Sequence, residues 1–289
     1  MSSYQRTYKL QFSARDGTNL VLSQTLEQVG LMLDFQIEKS TSSEANVANI
    51  TITNPSDDTI GTLQKEGIVI LELGYAGDNA IIFTGEKEAV NYTYESGTKR
   101  LELNLLEGTS NYTNLNFSKN YPIGTTNLQI ISDSVLHLIA NVPSIQASNA
   151  YLISDLKIYT RPQIVSGNAY DILKSFLDPI DYQYFVANGT ISIIPQNGFV
   201  KDLQVSISSR SGLIGSPKPI SENDKEDTAQ NGVEFESILN YNFDVGRLVK
   251  IDSKSFTSKI LKIRSVTHVG NTFEGEYKSI VRAFEVDGI

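Results

Sequence analysis

Short stretches of alternating apolar and polar residues, separated by turn-forming residues, run through the first 108 positions of the chain. Residues 49–54 alternate strictly, and residues 67–75 form a β-branched and aliphatic run between glycines that is too short for a helix. Further strands are predicted at 81–85 and 100–105, each after residues that favour a turn. Together with strands predicted at 8–13 and 31–39, this pattern indicates a small β-barrel.

The same pattern returns in weaker form near the C-terminus. A polar loop, a strand that starts at a glycine and a hairpin follow one another in both regions, and the later strands are predicted at 233–239, 246–252, 260–263, 265–270 and 277–284. Two readings stay open, because a duplicated barrel and two unrelated antiparallel meanders produce similar patterns. Either arrangement leaves exposed strand edges unless the sheet closes or pairs with another chain.

The middle of the chain has a different character. Helical spacing of apolar residues predicts a helix from Asn127 to about residue 140, capped by the residues before it and ended by Pro143. A second helix is predicted over 168–177, with Asn168 as its N-cap. Strands at 182–186 and 190–194 flank an Asn-Gly pair, which is a strong hairpin signal. Residues 111–121 are predicted to form a loop, and residues 55–63 a single helical turn.

These elements predict a mainly β protein with an α+β insertion. We expect a first β-barrel domain over residues 1–108, a middle α+β domain over residues 109–205, and a second β-barrel domain over residues 206–289. A chain of 289 residues is long enough for three such units to bury cores of their own.

Composition excludes several classes of protein. The net charge of −9 argues against a nucleic-acid-binding protein, which needs a basic face. The acidity either serves solubility or forms a wall that repels a translocating duplex. The chain has no cysteine, no apolar run of membrane-spanning length and no apolar segment behind its first residues. These features predict a protein that is assembled in a cytoplasm.

Candidate catalytic and metal sites are scarce. The two histidines, His137 and His268, are far apart in sequence and no metal-binding spacing surrounds either. Asp57 and Asp58 are adjacent, so their side chains point in different directions and a solvated turn is the favoured reading. The acidic run 222–227 lacks the glycine and the closing glutamate of a calcium loop. The sequence therefore predicts no catalytic residue, no metal site and no cofactor.

Several segments resemble the baseplate hub proteins of contractile phage tails and the related hub half of type VI secretion spike proteins. The resemblance is spread over residues 46–54, 67–75, 83–85, 211–217, 246–251 and 266–270, and the Gly-Leu-Ile-Gly-Ser-Pro string is its most specific part. Because no Lys-Ser or Lys-Thr pair follows the second glycine, this string is not a phosphate loop. The resemblance implies a structural joint between the middle domain and the second barrel, formed by Gly212, Leu213, Ile214, Gly215 and Pro217.

The resemblance also implies a non-enzymatic role in a virion. Two tandem barrels in each of three chains present six similar units, so a homotrimer can join a sixfold tail tube to a threefold central spike. The implied partners are the tail tube protein, the central spike protein and other baseplate proteins, and genome DNA passes through the lumen without specific binding. The alternatives are a distal tail or carbohydrate-binding β module and, third, a cell-wall hydrolase, which needs paired carboxylates in a sugar cleft.

Overall fold

The computed structural model describes residues 5–42, 45–108, 115–150, 157–200, 204–223, 229–254, 256 and 259–286. Most of these residues lie in strands. The strands are β1 Arg6–Ala14, β2 Asn19–Gln24, β3 Leu33–Ser40, β4 Val47–Thr53, β5 Gly67–Tyr75, β6 Asp78–Glu95, β7 Thr98–Leu106, β8 Asn116–Tyr121, β9 Ala147–Ala150, β10 Gln163–Asn168, β11 Tyr182–Ala187, β12 Thr190–Pro195, β13 Gln204–Ser208, β14 Leu213–Asn223, β15 Ala229–Ile238, β16 Leu248–Asp252, β17 Lys259–Asn271 and β18 Tyr277–Phe284. The helices are α1 Asp57–Leu63, α2 Asn127–Asn141 and α3 Ala169–Leu177, with a 3-10 turn at Asp178–Ile180.

The first seven strands form one part of a large sheet, in the order β2-β1-β5-β6-β7-β4-β3. Alternation of buried and exposed side chains is strict along β3, where every second residue from Leu33 faces the core. Helix α1 lies between β4 and β5 and is capped by Ser56, whose hydroxyl accepts a hydrogen bond from the N–H of Thr59 at 3.1 Å. The first core lies on the inner face of these strands.

The last strands repeat this arrangement. The hairpin β14-β15 is followed by the meander β16-β17-β18, and the strand order is β14-β15-β18-β17-β16. The hairpin β3-β4 and the meander β5-β6-β7 give the same order, β3-β4-β7-β6-β5. The flanking strands differ, because β1 pairs with β5 antiparallel whereas β13 pairs with β16 in parallel. Each end of the chain thus contains a five-strand unit of the same topology.

The two units are neighbours within one 13-stranded sheet. The later half of β17 pairs antiparallel with β3, from Ser265 opposite Ser40 to Asn271 opposite Asp34. The earlier half of β17 pairs with β16 along the same edge. Strand β17 therefore belongs to the second unit and also completes the first.

The closed barrels expected from the sequence are not seen in the described part of the chain. The sheet path is open and runs from β14 to β2. In place of closure, Thr272, which directly follows β17, bridges β2 and β3: Gln24 donates to its carbonyl at 3.1 Å, and the N–H of Leu33 donates to its hydroxyl at 3.0 Å. The first unit uses a distant segment to cover its edge, which local sequence patterns do not reveal.

The α+β elements lie between the two units in sequence. Helix α2 begins after Thr126, whose hydroxyl accepts a hydrogen bond from the N–H of Gln129, and α3 begins after Asn168, whose side chain accepts from Tyr170. Both helices and the hairpin β11-β12 agree with the sequence prediction. Helices α2 and α3 pack with β8, β10 and the three-stranded sheet β11-β12-β9 around a second core.

Several elements differ from the sequence prediction. Residues 116–121, predicted as part of a loop, form β8, in which only Phe117 and Tyr121 face the core. Strands β2, β9, β10 and β14 were not predicted, and α1 is longer than a single turn. Strand β6 continues far beyond residue 85, and β17 is one strand rather than two, because a bulge near Arg264 shifts its register without ending it. Short apolar runs mark only the buried part of a long strand.

Candidate functional site

A buried ionic cluster lies where the two units meet the hairpin β11-β12. The Nζ atom of Lys39 donates to Asn188 Oδ1 at 2.7 Å and forms an ion pair with Asp244 Oδ1 at 3.2 Å. Asn188 also donates to Asp244 Oδ2 at 2.8 Å. The Lys39 side chain is 1% exposed and that of Asp244 7% exposed, so this ion pair is almost fully removed from water. We call Lys39, Asp244, Asn188, Glu107 and Asn46 the Lys39 cluster.

Glu107 holds the other side of the cluster. Its carboxylate accepts hydrogen bonds from the N–H of Gly189 and from Asn46 Nδ2, both at 2.8 Å. Burial raises the pKa of Glu107, and the charge of Lys39 opposes that change. Asn46 in turn donates to the carbonyl of Val186 at 2.7 Å. The tip of the β11-β12 hairpin is therefore held by charged groups from both units.

The turn at the tip of the β11-β12 hairpin lets Asn188 and Gly189 reach the Lys39 cluster. Asn188 and Gly189 have φ values of +52° and +75°, the conformation of a type I′ turn. A Cβ atom at residue 189 would lie 3.0 Å from the carbonyl oxygen of Ser144. The Asn-Gly pair therefore forms the hairpin turn and also brings a side-chain amide and a backbone N–H into the cluster.

His268 lies close to this cluster in the strand that joins the two units. It is fully buried, it lies opposite Ile37 of β3, and its Nδ1 atom is 2.9 Å from the hydroxyl of Ser279. Burial and, to a smaller extent, the charge of Lys39 lower the pKa of His268 to about 3. The imidazole is therefore neutral at physiological pH and acts as part of the core.

A second contact secures the tip of the β17-β18 hairpin on the first unit. The Arg6 guanidinium donates to the carbonyls of Asn271 at 2.6 Å, Glu274 at 2.7 Å and Gly275 at 2.6 Å. It also lies 5.0 Å from the centre of the Tyr277 ring. Tyr277 itself belongs to the first core, and its hydroxyl donates to the carbonyl of Gly74 at 3.0 Å. A loop from the last strands thus closes one end of the first unit.

The predicted structural joint lies at the beginning of β14, at the outer edge of the sheet. Leu213 packs against the third core, which the second unit forms with residues of β11 and β12, whereas Ile214 is 43% exposed. Gly212 and Gly215 have φ values of +104° and +67°, and Pro217 is buried. The segment contains a register shift between Ile214 and Lys218. Its role as a joint stays a prediction.

The two glycines of this segment differ in a way that experiment can measure. A Cβ atom on Gly212 would lie 2.5 Å from Cγ1 of Ile238, whereas one on Gly215 would meet no atom within 4 Å. We expect Gly215→Ala to lower the free energy of unfolding by about 1 kcal/mol, from the left-handed backbone alone. Gly212→Ala adds a steric clash and should lower it by about 2 kcal/mol or more. Urea denaturation compares the two variants, and equal losses would contradict the packing of Gly212 on Ile238.

The other residues considered in the sequence are not brought together. Asp57 pairs with Lys99 at the surface, and half-buried His137 packs edge-on against Phe117 with 5.4 Å between ring centres. The described residues contain no group of three or more His, Asp or Glu that could hold a metal ion. Residues 224–227 of the acidic run lie outside the described residues. No helix in the described ranges is long and apolar enough to span a membrane.

The sequence prediction missed the Lys39 cluster, although part of its signal was present. Lys39 continues the alternation of Leu33, Phe35 and Ile37, so its side chain is on the buried face of β3. Glu107 continues the alternation of Leu101, Leu103 and Leu105 in the same way. A charged residue in phase with a buried face indicates a partner in the interior. Nothing in the sequence near Asp244 identifies it as that partner.

Comparison with known proteins was made by sequence and by fold. No family model and no curated protein matches the sequence. The fold matches a tail protein from Neisseria meningitidis MC58 with a TM-score of 0.63 at 12% identity, over 98% of this chain and 97% of that one. It matches the 43 kDa tail protein of prophage MuSo2 from Shewanella oneidensis with a TM-score of 0.61 at 9% identity, over 96% and 98% of the two chains. The chain has the fold of these tail proteins.

A third match extends the likeness to secretion systems. The E. coli c3393 protein is described as a type VI secretion system component with structural similarity to the T4 bacteriophage tail proteins gp27 and gp5. It matches with a TM-score of 0.59 at 11% identity, over 87% of this chain and 73% of that one. At such low identities the comparison establishes the fold, and these neighbours are tail or secretion components rather than enzymes.

Proposed function

We propose that this protein is a structural baseplate hub protein of a phage tail. In this proposal three copies form a ring of six similar units, which joins the sixfold tail tube on one side to the threefold central spike on the other. The partners are the tail tube protein, the central spike protein, other baseplate proteins and further copies of this chain. The location is the tail baseplate of the virion, after assembly in the host cytoplasm.

One observation carries the proposal: two units of the same strand order lie side by side in one continuous sheet. Identical topologies joined edge to edge present similar surfaces twice in each chain. Three chains arranged around a threefold axis then display six similar surfaces, which a sixfold partner can bind. The fold of the tail proteins described above supports the same assignment.

The outer face of the continuous sheet has the composition that a tube lumen requires. Most side chains opposite the core on β3, β4 and β7 are polar and exposed, with three acidic residues against one basic residue, Arg100: Asp34, Gln36, Glu38, Asn49, Thr51, Arg100, Glu102 and Asn104. An acidic wall repels the phosphates of a translocating duplex and favours passage over binding. In the proposed ring this face lines the channel through which the genome DNA passes.

Native mass spectrometry tests the ring directly. We expect the pure protein, or the protein mixed with its spike partner, to give species that contain multiples of three copies. We expect large, apolar contacts between copies, as in obligate oligomers, so these species should persist on dilution. A stable monomer both alone and with the spike protein would contradict the proposal. Glycan binding by the pure protein would instead favour a carbohydrate-binding tail module.

A further inference from the structure

Strand β6 carries a free edge in its second half. Its pairing with β5 ends at Glu86, whereas its pairing with β7 continues to Glu95. In the described part of the chain, no strand pairs with the other edge of residues 89–95. This segment contains one charged residue and no proline, so it lacks the features by which proteins commonly block edge pairing.

The equivalent segment of the second unit is occupied. Strand β17 has a register shift between Ile263 and Ser265, next to the end of its pairing with β16. Strand β6 has the corresponding shift between Lys87 and Ala89. Residues 89–95 of β6 therefore correspond to residues 265–271 of β17, which pair with β3 along their whole length.

The strand that corresponds to β3 is β14, the first strand of the second unit. Its described partner is β15, so its other edge is also free among the described residues. The free edge of β6 and the free edge of β14 lie on different units. A contact between them in one chain would repeat the β3–β17 pairing, and the same contact between successive copies gives a head-to-tail interface of the kind that closes rings.

The pairings within the sheet also define the register of this contact. Matching the two units strand by strand places Glu38 of β3 at Ile220 of β14. Because Thr267 lies opposite Glu38, Asn91 should lie opposite Ile220 of the next copy. Tyr92 then lies opposite Pro219, in the place of the pair formed by His268 and Ile37.

The backbone groups of β6 point in the direction that this pairing needs. Ser96 and Gly97 have φ values of +52° and +83°, so a two-residue type I′ turn joins β6 to β7. In such a hairpin the pair Glu95 and Thr98 exchanges both hydrogen bonds, and every second residue along β6 bonds to β7. The N–H groups of Val90, Tyr92 and Tyr94 therefore point away from β7, toward the free edge.

The side chains at this edge are those of a contact surface. Tyr92 and Tyr94 are 43% and 63% exposed, and Pro219 is exposed as well. The counterpart of Tyr92 in the occupied joint, His268, is fully buried. Tyrosines that are exposed at a strand edge and become buried on association contribute strongly to interfaces. Pro217 and Pro219 both lack a backbone N–H on the facing edge of β14, so the N–H groups of Tyr92 and Tyr94 are the donors in this part of the ladder.

We propose that residues 89–95 of β6 pair antiparallel with β14 of a second copy of this chain, with Asn91 opposite Ile220 and Tyr92 packed on Pro219. This inference rests on the proposed ring and names the strands that hold its copies together. Each copy contributes β6 to one neighbour and β14 to the other. The Gly212–Pro217 segment then lies next to the contact between copies.

Cysteine cross-linking tests this pairing, because the chain has no cysteine of its own. Asn91 and Ile220 form a pair that does not exchange backbone hydrogen bonds in the proposed register, so their Cα atoms lie about 4.5 Å apart, within reach of a disulfide. We expect the variant Asn91→Cys/Ile220→Cys, treated with oxidised glutathione, to yield a covalent trimer and no larger product. Thr93→Cys/Lys218→Cys should behave alike.

The control is Asn91→Cys/Val21→Cys, which places the second cysteine on β2 at the opposite end of the sheet and should leave the chain uncross-linked. Substitutions at these surface positions preserve the core, and circular dichroism verifies the fold. If the Asn91→Cys/Ile220→Cys variant is trimeric by native mass spectrometry but does not cross-link, the proposed strand pairing is wrong and the proposed ring still stands. A monomer in both experiments would overturn the ring and the pairing together. Equal cross-linking in the control would also overturn the pairing.

Discussion

Replacement of Lys39 by methionine should lower the free energy of unfolding by about 3–5 kcal/mol, which is the cost of leaving a buried charge without its partner. Asp244 is almost fully buried, and its remaining cation, Arg247, lies 3.9 Å from Oδ2. Methionine keeps the length of the lysine stem, so the loss reports the charge rather than a cavity. Urea denaturation at neutral pH measures the change.

The matched control for this variant is Lys9→Met. Lys9 forms an ion pair with Glu72 at 3.5 Å, but its side chain is 40% exposed. Exposed pairs contribute about 0–1 kcal/mol, so this variant should unfold almost as the parent does. The double variant Lys39→Met/Asp244→Asn should recover part of the loss, because both members of the pair are then neutral. Equal losses for Lys39→Met and Lys9→Met would contradict a buried ionic joint.

The second large effect is a pH dependence carried by His268. The pKa of His268 is about 3 in the folded chain, compared with the ordinary value of 6.5 that applies to the unfolded chain. As the pH falls, the unfolded chain therefore takes up the proton before the folded chain does. The stabilisation by the neutral ring is complete above pH 6.5 and is lost as the pH falls toward 3. Each pH unit in this window should cost up to about 1.4 kcal/mol.

The variant His268→Asn isolates this effect, because asparagine does not titrate and can still reach the hydroxyl of Ser279. The stability difference between parent and variant should be constant from pH 8.5 to 7.5 and should shrink between pH 6.5 and 5. Glu107, whose pKa is raised by burial, acts in the opposite direction in both proteins and cancels in the difference. Thermal unfolding in matched buffers measures it. A difference that stays constant down to pH 5 would show that His268 is accessible to protons when folded.

Local elements were predictable because their determinants lie close together in sequence. The apolar spacing and cap of α2, the Asn168 cap of α3 and the Asn-Gly turn of β11-β12 each depend on a few neighbouring residues. Strand β8 was missed because only two of its side chains face a core. The second half of β6 was missed because its side chains are mostly exposed and carry no apolar alternation, and β17 was predicted as two strands because a bulge near Arg264 interrupts its pattern.

The sequence alone determined a mainly β chain with an α+β insertion, two similar strand patterns at its ends, an acidic charge and no cysteine. These properties follow from residue type and short-range periodicity. Only the tertiary structure decided that the sheet is open, that β17 joins both units, and that Lys39 meets Asp244 from 205 positions away. Such contacts depend on which edges and charges the folded chain brings together, and the residues around either partner do not encode the other.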